Sequence, residues 1–291
     1  MPVGYIYIMG AGLAWSFLGI YIKLLAAVGF ESMQIVSLRA TLAAVVLTAL
    51  LAFWRGTALF RIKLRDWWLF AGMAIFSILI SNGCSFAAMQ ESGITVAIIL
   101  LYTSPVFVTV MAAIFFGEHL TGQKVAALFL ALLGCAFVAG AGQDTGGNVS
   151  LLGVGLGLAS AFGYALYSIF GRIALNRGYK PLTLVLYTFI IAGSMSWLFA
   201  DIKQAVLLVR DLRTLLLVLG LSVLSTILPY FLYGKGLETV EASKASILAC
   251  VEPAMAIVFG VVIFSEPFTI SIAIGILAIF GAVMLLNSKK A

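Results

Sequence analysis

The sequence predicts an all-α integral membrane protein, ten transmembrane helices arranged as two inverted five-helix repeats. Three observations carry this. Of 291 residues, 63% are hydrophobic and 10% charged, whereas a soluble domain has roughly 25% charged and about 45–50% apolar residues. Apolar runs recur from end to end, each near the ~20 residues that cross a hydrocarbon core of about 30 Å. Finally, an offset of 148 residues lays Pro105 on Pro253, Glu118 on Glu266, Thr121 on Thr269 and Gly72 on Gly220.

Backbone groups in lipid must be satisfied within the chain, so each run is a helix unless it alternates polar and apolar residues. None alternates, which excludes a β-barrel. The first run, 4–28, has no basic segment before it, so no cleaved leader is expected. At an offset of 149 it matches 150–173, with Lys23 on Arg172 and Trp15 on Tyr164, which marks it as a true span. The next runs are 32–54, 66–89, 94–117 and 122–142. After 150–173 come 181–200, 213–234, 242–264 and 268–287. Only GTALFRIKLRD, QDTGGN and DIKQAVLLVRD interrupt them at any length. No soluble domain remains, so function belongs within the bilayer. Each half, 1–142 and 149–287, holds five spans. An odd number turns the second half upside down, as in transporters that bind solute near the midplane between inverted repeats.

Basic residues in short links set orientation. With the N-terminus cytoplasmic, the inner side receives Arg55, Arg61, Lys63, Arg65, Lys124, Arg177, Lys180, Lys289 and Lys290. The outer side receives mainly Lys203, Arg210 and Arg213, beside Asp201 and Asp211. Both termini are therefore expected in the cytoplasm. The net charge of +6 thus reads as membrane orientation, and no nucleic-acid partner is expected. Cys84, Cys135 and Cys250 fall far apart in apolar runs, and His119 is alone, so neither a disulfide framework nor a metal site is expected. No cofactor-binding motif occurs. Asp66, Asp144, Asp201 and Asp211 all lie in links or at span edges, which leaves an intramembrane aspartyl protease without support. NVS at Asn148 matters only in a eukaryotic secretory setting. Glycines 153, 157, 275 and 281 suit close helix packing, within a monomer or in a homodimer.

Both halves carry the same punctuation: Pro105 and then GE at the end of the fourth run, EP and then SE in the ninth. With GLAWSFLGIYIKLL, VSLRATLA, FAAMQESG and GKGLETVEASKASIL, this resembles the paired EamA repeats of the drug/metabolite transporter superfamily. The resemblance covers nearly the whole chain. It implies ten helices around a central cavity lined mostly by spans 1, 3, 4, 6, 8 and 9. It also implies a bacterial inner-membrane exporter or facilitator of amino acids and related metabolites.

Most charges stand at span ends, where Lys23, Arg172, Lys235, Lys244, Glu118 and Glu266 are expected to reach the interface. Arg39 and Glu252 lie deeper. A central charge costs about 2.5–3.5 kcal/mol on insertion scales and usually faces a bundle interior or cavity. Ala245, Ala249, Glu252 and Ala256 share one helical face, which suits a cavity wall or a close helix contact and not lipid. Pro253 frees a carbonyl about four residues earlier, and freed polar groups are tolerated only beside protein or water, so Glu252 and Pro253 are expected to share one hydrated place. Three readings stay open: Arg39 and Glu252 as a structural pair, as substrate contacts, or Glu252 as a proton carrier. Trp15, Asn82, Tyr102, Tyr164 and Tyr230 complete the candidate pocket, and Pro105 and Pro253 are candidate hinges. The expected partners are a small-molecule substrate and the lipid bilayer. Alternating-access export of amino acids is the leading function. A membrane enzyme acting on a lipid or acyl donor, or a channel-like facilitator, is the alternative.

Overall fold

In the computed structural model the described residues are 2–53, 57–140 and 149–288, and among them every regular element is helical. Arg55, Asp144, Asn148, Lys289, Lys290 and the expected end of the first half at 142 lie outside them. In chain order the helices are α1 (Val3–Val28), α2 (Ser32–Phe53), α3 (Leu64–Ser92), α4 (Ile94–Phe116), α5 (Gly122–Val138), α6 (Leu151–Asn176), α7 (Pro181–Ser196), α8 (Leu212–Leu237), α9 (Ala242–Phe264) and α10 (Ile270–Asn287). Eight are long and apolar enough to cross a membrane, while α5 and α7 are shorter and apolar. Both stop four residues before the ends expected at 142 and 200. After α5 the chain turns at Gly140, whose φ of 92° an L side chain resists. After α7 a turn closes through the Leu198 N–H to Met195 O.

Local chemistry sets the helix ends. Thr121 and Thr269, at matching positions, accept from the N–H groups of Lys124 and Ile272 at the starts of α5 and α10, both at 3.3 Å. Such caps satisfy N–H groups that have no partner in the helix, and each is worth about 1 kcal/mol. Several helices are also interrupted within. The chain turns at Tyr102–Thr103 inside α4 and at Cys250 inside α9, positions again 148 apart. In each case the proline falls in the first turn of the resumed helix, where its missing N–H costs least. Segments of π-helix run through Met73–Ile80 in α3 and Val223–Ile227 in α8. Such segments are found mostly at functional sites. The break of α1 at Phe17 has no counterpart, because α6 is continuous.

The principal helix contacts correspond when the halves are exchanged, although α7 meets α8 and α5 meets α9 with no comparable contact of α2 on α3 or α10 on α4 among the described residues. Helix α1 packs on α8 and α9, and α6 packs on α3 and α4. Helix α2 meets α7 and α8, while α7 meets α2 and α3; α4 meets α9, and α5 meets α10. Close approaches correspond too. A Cβ on Gly72 would lie 2.6 Å from the Phe170 ring, and one on Gly220 would lie 2.6 Å from the Tyr21 hydroxyl. Glycines 153, 157, 275 and 281 all face neighbouring helices of the same chain, Gly275 against Gly134 of α5. A satellite core of Leu25, Phe30, Ile35, Leu38, Ala205, Val218 and Leu221 anchors the short helix Ile202–Leu208.

Candidate functional site

The breaks in α1, α4 and α9 and the π segment of α3 surround one central cavity. Its wall consists of Trp15, Leu18, Arg39, Ser77, Ser81, Asn82, Ser85, Leu101, Ser160, Tyr164, Tyr230 and Glu252. Six of the seven side chains singled out in the sequence therefore meet at one place. Tyr102, the seventh, occupies the turn within α4, packed on the core and within electrostatic reach of Glu252. A second cavity shares Trp15, Ser77, Tyr164 and Tyr230 and continues past Tyr167 and Tyr233 to Ser246 and Ala249. A third shares Leu18, Arg39 and Asn82 and continues past Ile22, Ser32 and Phe86. Together they trace a path along the bundle.

Arg39 is 5% exposed, and its Nε is buried without a hydrogen-bond partner. Burying such a donor costs roughly 1–3 kcal/mol, or more for a charged group, unless something in the cavity accepts from it. Glu252 faces the same cavity, but no ion pair within 4.0 Å joins the two among the described residues. The structural-pair reading thus fails as a direct contact. Opposite charges instead stand apart on one wall, within electrostatic reach. The face drawn from the sequence holds at Ala245, which is fully buried, and at Ala249 and Glu252, which line cavity wall. The close approach of α1 explains the position of the α9 break. A Cβ on Gly12 would lie 3.2 Å from the Ala249 carbonyl oxygen, the acceptor that Pro253 leaves without its usual donor, and 3.2 Å from Glu252 N.

The aromatic residues form a connected box. Tyr230 meets Trp15 edge-on at 5.1 Å, Tyr167 at 4.8 Å and Phe189 at 5.0 Å. Tyr233 reaches Trp15 at 5.5 Å and bonds Ser168 through its hydroxyl at 2.7 Å. Asn82 spends its amide N–H on the Ile78 carbonyl at 2.6 Å, which leaves its carbonyl oxygen for the cavity. Sequence reasoning missed Tyr167, Tyr233 and a row of serines. Ser77, Ser81 and Ser85 recur every four residues, a spacing that puts them on one helical face and was visible in the sequence. Ser81 is tied to Ser160 by hydroxyl-to-carbonyl bonds in both directions, 2.9 and 2.8 Å. The hydroxyls of Ser77 and Tyr167 are buried with no partner.

The span-end charges divide. Lys23 pairs with Glu266 at 2.9 Å, and both are exposed, as expected at an interface. Glu118 departs from that expectation. Its side chain is 7% exposed, and it accepts from the N–H groups of Ala242 and Ser243 at the start of α9. Partial positive charge at a helix start accounts for its placement. Arg172 turns inward likewise, donating to the carbonyls of Leu237 and Val240. Lys124, 3% exposed, contacts Glu118 at 3.7 Å and Glu241 at 2.9 Å; Lys244 also reaches Glu241 at 2.9 Å. Partial burial pushes the Glu241 carboxyl up, yet Lys244 and Lys124 together hold it below its ordinary value. No cluster of three or more His, Cys, Asp or Glu that could hold a metal ion occurs among the described residues.

The profile of the EamA-like transporter family matches residues 2–140 and again 151–288. An uncharacterized transporter of Clostridium kluyveri is 24% identical over the whole chain and 95% of its own length. An uncharacterized transporter of Archaeoglobus fulgidus is 27% identical over 70% of each chain. A probable amino-acid metabolite efflux pump of Escherichia coli is 26% identical over 60% of each. A solved crystal structure superposes with a TM-score of 0.80 over 98% of this chain and 96% of its own, at 19% identity, a likeness of fold alone.

Proposed function

The chain belongs to the EamA-like transporter family, and from that premise we propose that it exports amino acids or closely related small metabolites across a bacterial cytoplasmic membrane by alternating access. The family and the curated relatives are transporters, which leaves the membrane-enzyme alternative without support. The observation that carries the substrate class is a buried cation and a partly buried acid on one cavity wall, Arg39 and Glu252, with no ion pair between them. A zwitterion presents a carboxylate to the first and an ammonium to the second, and the box of Trp15, Tyr164 and Tyr230 receives the side chain. Pockets for small molecules are of this kind, mostly apolar with a few placed polar groups. The Escherichia coli efflux pump supports the same class.

Ten spans in two inverted copies are part of this reading. The corresponding principal helix contacts, the matching breaks before Pro105 and Pro253, and the matching π segments support it. Pro105 and Pro253 are then the bending points, and both termini are cytoplasmic in this reading, which the bias of basic residues in the short links supports. Purified protein in liposomes tests the proposal with labelled amino acids and nucleosides, with and without a pH gradient. Saturable flux of amino acids is expected. Flux of nucleosides alone, or flux that never saturates, would replace the proposed substrate or mechanism.

A further inference from the structure

The two ends of the cavity path are held by different contacts, although the residues correspond. At one end Glu118, just beyond α4, caps the start of α9 through Ala242 N (2.7 Å), Ser243 N (3.1 Å) and the Ser243 hydroxyl. Arg172 of α6 donates to the carbonyls of Leu237 and, at 3.0 Å, Val240. One acid and one base thus clamp the turn that joins α8 to α9. At the other end the corresponding acid and base are Glu266 and Lys23, and the corresponding turn joins α3 to α4. They do not hold it. Lys23 instead pairs with Glu266 at 2.9 Å, with side-chain exposures of 55% and 41%, and lies 4.0 Å from the Phe264 ring centroid.

The α3–α4 turn is tied instead to Ser150 at the start of α6, whose N–H donates to the Ser92 hydroxyl at 3.0 Å and whose hydroxyl donates to the Glu91 carboxylate at 3.3 Å, yet it keeps the chemistry of the other. Ile94 and Thr95 stand at the positions of Ala242 and Ser243, so a hydroxyl occupies the second place in both. Met89 and Ser92 stand at those of Leu237 and Val240. The start of α4 carries no side-chain cap, its N-cap being Gly93. An exposed ion pair such as Lys23–Glu266 is worth little, whereas a carboxylate on helix-start N–H groups gains charge-assisted bonds and a favourable dipole. The exposed pair thus adds little resistance to an exchange, and release of the Glu118 and Arg172 contacts is the step that governs it.

We propose that Glu266 and Lys23 are positioning residues of the transport cycle that change partners when the cavity opens to the other side. In that state Glu266 caps α4 through the N–H groups of Ile94 and Thr95 and the Thr95 hydroxyl, and Lys23 turns to the carbonyls that end α3. Glu118 and Arg172 then release the α8–α9 turn. This rests on the reading of two inverted copies above and does not depend on which solute is carried.

In a chain with Cys84, Cys135 and Cys250 replaced by alanine, the double variant Glu266→Cys with Thr95→Cys is reconstituted in liposomes and treated with a short bifunctional maleimide. Cross-linking is expected even though Glu266 is held elsewhere in this structure, and Glu118→Cys with Ser243→Cys should cross-link as the reference pair. In parallel, Glu266→Ala should lower amino-acid turnover at least tenfold with KM changed less than twofold, and Glu266→Asp should restore part of it. The proposal is overturned if the reference pair links while 266 and 95 never do, or if Glu266→Ala keeps turnover within twofold of the native protein. Should neither cysteine pair fold, the Glu266→Ala and Glu266→Asp fluxes decide. Should the native protein carry no amino acid, the substrate reading fails while the cross-links still decide this one.

Discussion

Ser265 sits at φ 54°, the one non-glycine at positive φ among the described residues, and its counterpart Gly117 has φ 65°. A side chain in that left-handed conformation costs roughly 1–2 kcal/mol. Ser265→Gly should therefore raise stability by about 1 kcal/mol, seen as a higher thermal midpoint in detergent. An unchanged midpoint would place the strain elsewhere. At Arg39 the expectation concerns function. Hydrogen bonds to a charged partner are worth about 1.5–3 kcal/mol, so Arg39→Ala should weaken substrate binding by roughly 10- to 100-fold, measured by equilibrium binding of labelled amino acid. Arg39→Lys should recover only part, because an ammonium lacks the planar fork. Binding within twofold of native in Arg39→Ala would remove the carboxylate contact from the account. Arg39 and Glu252 were legible in the sequence because a charge in an apolar run is costly and conspicuous. The spacing of Ser77, Ser81 and Ser85 was visible too. That the Ser77 hydroxyl is left without a partner was not, since a serine in a helix usually bonds its own backbone and only packing decides otherwise. Tyr167 reads in the sequence like any buried aromatic.

Among the elements, α9 carries the most evidence. It begins at the Glu118 cap, breaks at Cys250 and resumes with Pro253 in its first turn. The break agrees with the position that the proline marks in the sequence. Its partner contact, Gly12 on the Ala249 carbonyl, joins residues far apart in the chain and left no local signal. Pro253→Ala restores the missing N–H donor and should straighten α9. Turnover should fall several-fold while the thermal midpoint stays level or rises; unaltered turnover would relieve the proline of any hinge role. The same helix predicts a pH dependence at its start. Glu241 is held below its ordinary value by Lys244 and Lys124. A carboxyl lowered on folding stabilises the fold above its unfolded pKa, near 4.3. That contribution is lost as pH falls through the lower folded value. Glu241→Gln should therefore have a lower midpoint than native at pH 7, and the gap should close as pH falls below about 4. A gap that persists there would mean that the carboxylate acts by shape alone.

At the scale of the whole molecule, correspondence between the halves explains the architecture, and departures from it explain which end is clamped by buried charges. The offset repeat was plain in the sequence, as were the helices that follow from it. The departures were not, since they depend on which equivalent charges happen to meet. Lys124 is the heaviest of them. Its counterpart is Ile272, so the buried contact of Lys124 with Glu118, and its contact with the more exposed Glu241, exist only at the α8–α9 turn. Removing one partner of a buried pair costs about 3–5 kcal/mol, and every 1.4 kcal/mol of bias is about tenfold in population. Lys124→Met should thus shift the protein away from the observed arrangement. A single cysteine reports the shift in a background without the native three. Ser246→Cys, in the cavity nearest the clamped end, should react at least about tenfold faster with a hydrophilic maleimide once Lys124 is replaced. Ser85→Cys, on the wall of the central cavity, should slow or stay unchanged. Equal acceleration at both sites would mean general loosening of the bundle, and no change at Ser246→Cys would mean that the charge belt does not hold that end closed.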